Sequence, residues 1–306
     1  ITLNFLIPRM MPGDPVGVMV AQAQGSLGPE AIEATKLALG IDENASLWGQ
    51  YTGYLGEQLS GNLGMSFSRR VPVGDLIIEA LAWTLFLAGT AVCISFVLGT
   101  LLGAIATWRR GSWLDQGLPP LLSLLSAFPY FWMAMLLLWI FGLQLGWMPS
   151  RGAYDPSIDP GWSLEFAWSS MQHALLPGLT LVIASVCGWM LSMRSTMISV
   201  LGENYIRFAR VRGLQPRRVM LHYAARNALI PNLTGFGMAL GYVLGGALLT
   251  EMVFGYPGQG FLLLDAVRSQ DYPLMQGLFL TITLAVLLAN FLVDGLTLLL
   301  DPRTRR

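Results

Sequence analysis

The sequence predicts an all-α polytopic membrane protein with six transmembrane helices, the first of them truncated here. Three observations carry this expectation. The 306 residues are 54% hydrophobic and only 12% charged, whereas about a quarter of an ordinary soluble domain is charged. The apolar residues gather into stretches long enough to cross a hydrocarbon layer of about 30 Å, which takes about 20 helical residues. The charges are spaced by those stretches rather than spread along the chain.

The elements follow in order. Ile1–Ile7 is apolar but short, and Pro8, Arg9 and Pro12 follow at once; it reads as the end of a first transmembrane helix, with an amphipathic surface start as the alternative. Residues 8–82 mix acids with "GPEAIEATKLALG" and "SLWGQYTGYLGEQLSG" and are expected to form short helices outside the membrane. Trp83–Thr107, Leu118–Leu145, Ala174–Val200, Leu233–Met252 and Leu274–Leu300 are the five further spans. Runs of this length exclude a β-barrel, whose strands need about 9–11 residues. Residues 83–306 are thus expected to form a five-helix core. Trp83, Trp108, Trp113, Trp147 and Trp168 fall near span ends, where amphipathic rings favour the interface.

Sidedness comes from the basic residues. Twelve of the eighteen lie in Trp108–Gly117, between Arg194 and Pro231, and in the tail "DPRTRR". The positive-inside bias places those three regions in the cytoplasm. The opposite side, including Gly146–His173 and Val253–Pro273, carries most of the acids. Net charge is zero, so no global field argues for nucleic acid. A basic cluster beside a membrane would also attract anionic lipid headgroups.

"ENYIRFARVRGLQPRRVMLHYAARNALIP" holds more than topology requires. It reads as two short helices joined at a bend, with Gly213 breaking the first, Pro216 opening the second and Pro231 closing it. Ile206, Phe208, Val211, Val219, Leu221 and Tyr223 are expected to anchor against the membrane or neighbouring helices while the arginines face water. Such a loop presents a rigid knob to a soluble partner.

Chemistry is excluded more readily than it is found. Lys36 is the chain's one lysine and Thr35 precedes it, so the sequence holds no G-x-x-x-x-G-K-[ST] phosphate loop. His173 and His222 lie on opposite expected sides, and Cys93 and Cys187 sit inside apolar runs, so no metal, disulfide or catalytic constellation emerges. Arg194 and Asp294 lie about six residues from the inner ends of their spans, roughly 9 Å at 1.5 Å per residue. Either they form an ion pair, or Arg194 snorkels to the headgroups while Asp294 bonds elsewhere. In "GFGMALGYVLGGALL", Gly241 and Gly245 stand in G-x-x-x-G spacing, for either a sliding face or ordinary close packing. Phe128, Pro129 and Trp132 interrupt the third span, around a translocation path or as a tolerated break. Glu251, Phe254, Gly255, Pro257 and Gly258 lie in a glycine- and proline-punctuated turn near the expected outer mouth.

Motifs now accumulate in one order: "PGDP" at 12–15, "FPYFW" at 128–132, "ENYIRFARVRGL" at 203–214, "RNALIP" at 226–231, "EMVFGYPGQG" at 251–260, "DYPLMQG" at 271–277 and "DPR" at 301–303. Together the sequence closely resembles the ABC transporter permease family for dipeptides, oligopeptides and nickel, over almost its whole length. Read from Gly213, the Glu-Ala-Ala of the wider importer signature is replaced by Arg207-Phe208-Ala209, and Arg226 stands where other importers carry a proline; the peptide branch is similar in both respects.

The resemblance implies a type I importer permease fold and alternating access across a bacterial cytoplasmic membrane. The protein would itself be no enzyme. It would pair with a second homologous permease, two ATP-binding subunits carrying ATP and Mg, and an extracytoplasmic solute-binding protein. The cytoplasmic loop at about 201–231 would couple to the ATPases, through Glu203, Tyr205, Arg207, Ala209, Arg210, Arg212, Gly213, Leu214, Arg217 and Arg218. Glu251–Gly258 would serve as an outer gate. Short peptides are the expected cargo, with glutathione or nickel chelates as alternatives within the family. A stand-alone channel or ion-driven transporter is the alternative from another class, and usually carries acids or histidines mid-membrane.

Overall fold

The structure, a computed structural model, describes residues 2–10, 46–243 and 247–300, excepting the side chains of 7–10, 292–294 and 296–300. The "PGDP" and "DPR" motifs, Gly245 and the Asp294 side chain therefore lie outside the described residues. In chain order the helices are α1 (Thr2–Met10), α2 (Leu47–Leu59), α3 (Val73–Trp108), α4 (Trp113–Ser126), α5 (Tyr130–Gln144), α6 (Leu164–Leu201), α7 (Asn204–Val211), α8 (Pro216–Val243), α9 (Leu248–Phe254), α10 (Gln259–Arg268) and α11 (Tyr272–Leu300). Among the described residues the only strand-like feature is an isolated bridge between Met65 and Pro72. The chain is an all-α polytopic membrane protein. Three helices, α3, α6 and α11, are long and apolar enough to cross a membrane, and the pairs α4–α5 and α8–α9 pass the same test as two broken spans.

Several boundaries differ from the apolar runs, each for a physical reason. Helix α3 starts at Val73 rather than Trp83 because Asp75 and Glu79 lower the local hydropathy without interrupting the helix. Val73, Ile77 and Ala80 turn inward there against Leu262, Ala266, Leu274 and Leu278. The stretch Leu118–Leu145 is not one rod: α4 ends at Ser126, α5 begins after Pro129, and their axes meet at 91°. Pro231, expected to close a short helix, lies inside α8.

The bundle is held most closely where α3 crosses α6. A Cβ on Gly99 would lie 2.6 Å from both Trp189 Cβ and the Val186 carbonyl oxygen, and one on Gly103 would lie 2.5 Å from the Met190 carbonyl oxygen. Small residues at i and i+4 let backbones approach where lipid offers no hydrophobic drive to helix association. Gly103→Val should therefore force the helices apart, with a loss of about 1–3 kcal/mol; thermal unfolding in detergent reads it, and an unchanged midpoint would sink the close-packing account.

A buried amide pins a third helix to the same crossing. Asn232 of α8 accepts a hydrogen bond from the Ser192 hydroxyl at 2.6 Å and extends its amide group towards Thr100 Oγ1 and the Trp189 carbonyl, both at 3.2 Å. Helices α3, α6 and α8 thus share one polar node, in which Asn232 and Thr100 are buried. In an apolar setting such groups persist only when bonded.

Two cores terminate this arrangement. One gathers the start of α3 with α10 and the start of α11. The other gathers Ala104 of α3, Met193 and Met197 of α6, Ile206 and Ala209 of α7, and Val219, Ala224 and Ala228 of α8. Ile77 and Ala104 are separated by roughly 40 Å along α3 at 1.5 Å per residue, so the cores occupy opposite ends of one helix.

Candidate functional site

The site begins with a helix that has two faces. In α7, Ile206 and Ala209 are buried in the second core, one turn apart on one side. Phe208 and Val211 point the other way and are 68% and 85% exposed. Val219 is buried and Tyr223 half-buried against neighbouring helices, whereas Phe208, Val211 and Leu221 are not covered by them. A helix of this length has one buried stripe, and the i to i+3 pair Ile206 and Ala209 takes it.

The end of α7 is a Schellman turn. Gly213 adopts φ +73°, its N–H bonds the Arg210 carbonyl at 2.9 Å, and the Leu214 N–H bonds the Ala209 carbonyl at 3.3 Å. Leu214 then packs on the core that holds Ala209. Left-handed backbone at this point costs an L-residue about 1–2 kcal/mol, which glycine avoids. Pro216 opens α8 directly after the turn. The expected second short helix is instead the first turns of one long helix, so the knob is continuous with a membrane span.

The charges are distributed around this turn. Glu203 precedes α7, where a carboxylate favours the helix dipole. Tyr205 is tied to α8 by Asn227 Nδ2, 3.2 Å from its hydroxyl. The Arg210 guanidinium lies 5.9 Å from the Trp108 ring centre, a cation–π contact with the end of α3. Arg207, Arg212, Arg217 and Arg218 are exposed. Arg207, Arg210 and Arg212 flank Phe208 and Val211 along the chain with positive charge.

At the opposite end stands a second constellation. Glu251 is 0% exposed. Its carboxylate accepts from the Thr84 hydroxyl at 2.9 Å, the Phe261 N–H at 3.0 Å and the Ala247 N–H at 3.4 Å. Thr84 Oγ1 in turn accepts from the Gln259 N–H at 2.8 Å. A Cβ on Gly258 would fall on the Glu251 carboxylate, which explains glycine there. Gly255 takes φ +57° beneath the Arg151 side chain, and the Phe254 carbonyl accepts from the Gly152 N–H at 3.0 Å. Tyr256 is fully buried against Leu87 and Ala153, and burial pushes its phenol well above the usual range. The segment Glu251–Gly260, with Pro257 at its turn, is a folded knot on α3 rather than an open loop.

Beside it, Asp271 caps the first turn of α11 through the Leu274 N–H and holds the turn at 66–68. The Ser66 hydroxyl donates to it at 2.5 Å, the Ser68 hydroxyl at 2.8 Å and the Ser68 N–H at 2.9 Å. Arg69 and Asp265 add an exposed ion pair at 2.7 Å.

The remaining residues separate. Arg194 Nε and Nη2 bond Asp115 Oδ1 at 3.1 and 2.8 Å, joining α6 to the start of α4. The expected partner, Asp294, has its side chain outside the described residues. Asp115→Ala and Arg194→Ala should therefore be non-additive in a thermal-stability cycle; additive effects would dissolve the pair. Phe128 and Trp132 stack at 5.1 Å across the 91° bend, both 40% exposed, and Pro129 heads α5. A Cβ on Gly241 would sit 2.9 Å from Ala289 Cβ of α11, so this glycine serves close helix packing.

Thr84, Asp115, Asn232 and Asp271 had no local signature. Glu251 lies at the end of the expected span Leu233–Met252, where sequence spacing gives no sign that its side chain is buried.

The comparisons with known proteins extend these observations. Residues 99–306 match the model of the binding-protein-dependent transport system inner membrane component family. The di/tripeptide transport system permease protein DppB of Pseudomonas aeruginosa is 36% identical, with 99% of this chain and 93% of that protein covered. A putative peptide permease of Brucella suis is 34% identical over 99% and 93%, and the glutathione transport system permease protein GsiC of Escherichia coli O6:H1 is 35% identical over 99% and 92%. A family model over two thirds of the chain and relatives along nearly all of it agree with the apolar helices, and the chain belongs to the family of binding-protein-dependent transport system inner membrane components.

Proposed function

We propose that this permease imports short peptides and is driven through the α7 knob by ATP-binding subunits. The observation that carries the reading is Phe208 and Val211 held exposed, flanked by arginines, on a helix whose other face is locked into the bundle. An apolar centre with a charged rim is the composition of a protein-docking surface. Residues 1–7 would then end a first span, 8–82 lie outside the membrane, and 83–306 form the core, with 201–231 and the C-terminus in the cytoplasm.

In this reading a second permease completes the pathway, two ATPases holding ATP and Mg sit beneath, and a solute-binding protein delivers cargo outside. Nucleotide closure displaces α7, and because α7 shares a core with α3, α6 and α8 the displacement reaches the spans as a rigid-body motion. The knot at Glu251–Gly258 closes the outer mouth as a unit fixed to α3. Phe128, Pro129 and Trp132 lie on the side that the moving helices open. The resemblance of the relatives supports peptide cargo, and the glutathione permease at similar identity supports glutathione, itself a tripeptide derivative, as the second reading.

Uptake of a labelled dipeptide into proteoliposomes carrying the assembled transporter tests both. Uptake that requires ATP inside, and is competed better by dipeptides than by glutathione, is expected. Flux without ATPase subunits would overturn the class.

A further inference from the structure

The end of α3 forms a second basic feature, which shares only Arg217 with the coupling reading. A cavity of about 320 Å³ is bounded by Ile105, Trp108, Arg109, Arg217 and Met220. Among the described residues no carboxylate lies within ion-pair distance of Arg109 or Arg217; the described pairs are Arg194 with Asp115 and Arg69 with Asp265. Two unneutralised guanidiniums therefore face one hollow walled by an indole and apolar side chains. The carbonyl end of α3 contributes the wrong sign for an anion, while the start of α8, which carries Arg217, contributes the right one.

A second observation points in the same direction. Ile94, Val97, Leu98, Leu101 and Ile105 are 38–54% exposed, and their spacing places them on one face of α3. That stripe runs along the helix into the cavity, where Ile105 is part of the wall. A ligand matching both features carries an anionic group at one end and a long apolar chain at the other. Free phosphate matches only the first, and a soluble protein only partly matches the second.

We propose that this cavity binds an anionic glycerophospholipid, with its phosphate between Arg109 and Arg217 and an acyl chain along the α3 stripe. Arginine suits the phosphate because its planar donor fork bonds two oxygens at once, and Trp108 marks the headgroup level. Since Trp108 also holds Arg210, the lipid would brace the root of the α7 knob from the membrane side.

The test uses the assembled transporter, purified in mild detergent from a membrane containing phosphatidylglycerol and phosphatidylethanolamine, with bound lipid counted by mass spectrometry. Wild type should retain phosphatidylglycerol selectively. Arg109→Gln with Arg217→Gln should retain about tenfold less, with phosphatidylethanolamine unchanged. Leu101→Ala with Ile105→Ala should lower retention about threefold. Arg217→Gln alone serves if the double variant fails to assemble, and should lower retention at least threefold. Glycerol phosphate at millimolar concentration should leave the lipid in place; displacement by it would mean that the headgroup alone is recognised and would overturn the proposal. Undiminished phosphatidylglycerol in the arginine variants, with or without release of the ATPases, would overturn it too.

Discussion

Glu251→Ala is expected to be the most damaging single substitution in the described structure, lowering stability by about 3–5 kcal/mol, since several donors lose their acceptor at about 1–3 kcal/mol each. The reason is the number of groups it would strand. Thr84 loses its acceptor in a fully buried setting, and the part-buried Phe261 and Ala247 N–H groups lose theirs. Glu251→Gln should be intermediate, because its amide keeps one acceptor oxygen but turns an N–H₂ towards a second donor. Thr84→Val should resemble it, since Thr84 both donates to Glu251 and accepts from Gln259. Thermal unfolding of the detergent-solubilised protein gives the order. A midpoint for Glu251→Ala within about 1 kcal/mol of wild type would show that the knot is not held by its carboxylate.

Phe208→Ala should do the reverse: leave stability alone and abolish transport. The ring is 68% exposed, so removing it leaves no cavity. As the centre of a docking surface it is expected to contribute about 2 kcal/mol, a roughly 30-fold loss of affinity for the ATPase subunits. Ile206→Ala, only two residues away, should lose stability by about 2–5 kcal/mol instead, because Ile206 fills the core beneath. Co-purification of the subunits and ATP-dependent uptake read the first variant, and thermal unfolding reads the second. If Phe208→Ala retains full ATPase binding and uptake, the knob docks through some other surface, and the proposed coupling face is wrong.

The contrast between those neighbouring residues shows what one-dimensional reading can reach. The bend at Gly213 and the helix start at Pro216 were legible because a positive φ and a fixed φ have residue-specific signatures. The apolar stretches were legible because lipid demands them. Which of Ile206 and Phe208 faces inward was not, since both are large and apolar and only the position of α6 and α8 decides. The start of α3 at Val73 was hidden by Asp75 and Glu79, which a hydropathy window penalises although they cap no helix. Thr84 and Glu251 are 167 residues apart, and no local rule pairs a threonine in one span with a carboxylate in another. Gly99 and Gly103 had the G-x-x-x-G spacing in plain view, yet the glycine-richer fifth span drew attention from them. Arg194 left two readings open, an ion pair with Asp294 or snorkelling to the headgroups, and no local rule pairs it with Asp115, 79 residues away.

Helix α3 has one irregularity between its two cores. Leu85–Gly89 is wound as a π turn, with the Thr90 hydroxyl bonded to the Phe86 carbonyl at 2.5 Å and the Leu87 carbonyl at 3.0 Å. A π turn is one surplus residue stored in an α-helix. Sliding that surplus along the helix changes the register of every residue it passes by one position, about 100° of rotation and 1.5 Å of advance. The knot around Glu251 attaches at Thr84, immediately before the surplus residue, and the Gly99–Gly103 crossing lies after it. In α3 the surplus residue thus sits between the two gripped ends, so the part beyond it is set one position out of step with the part before it.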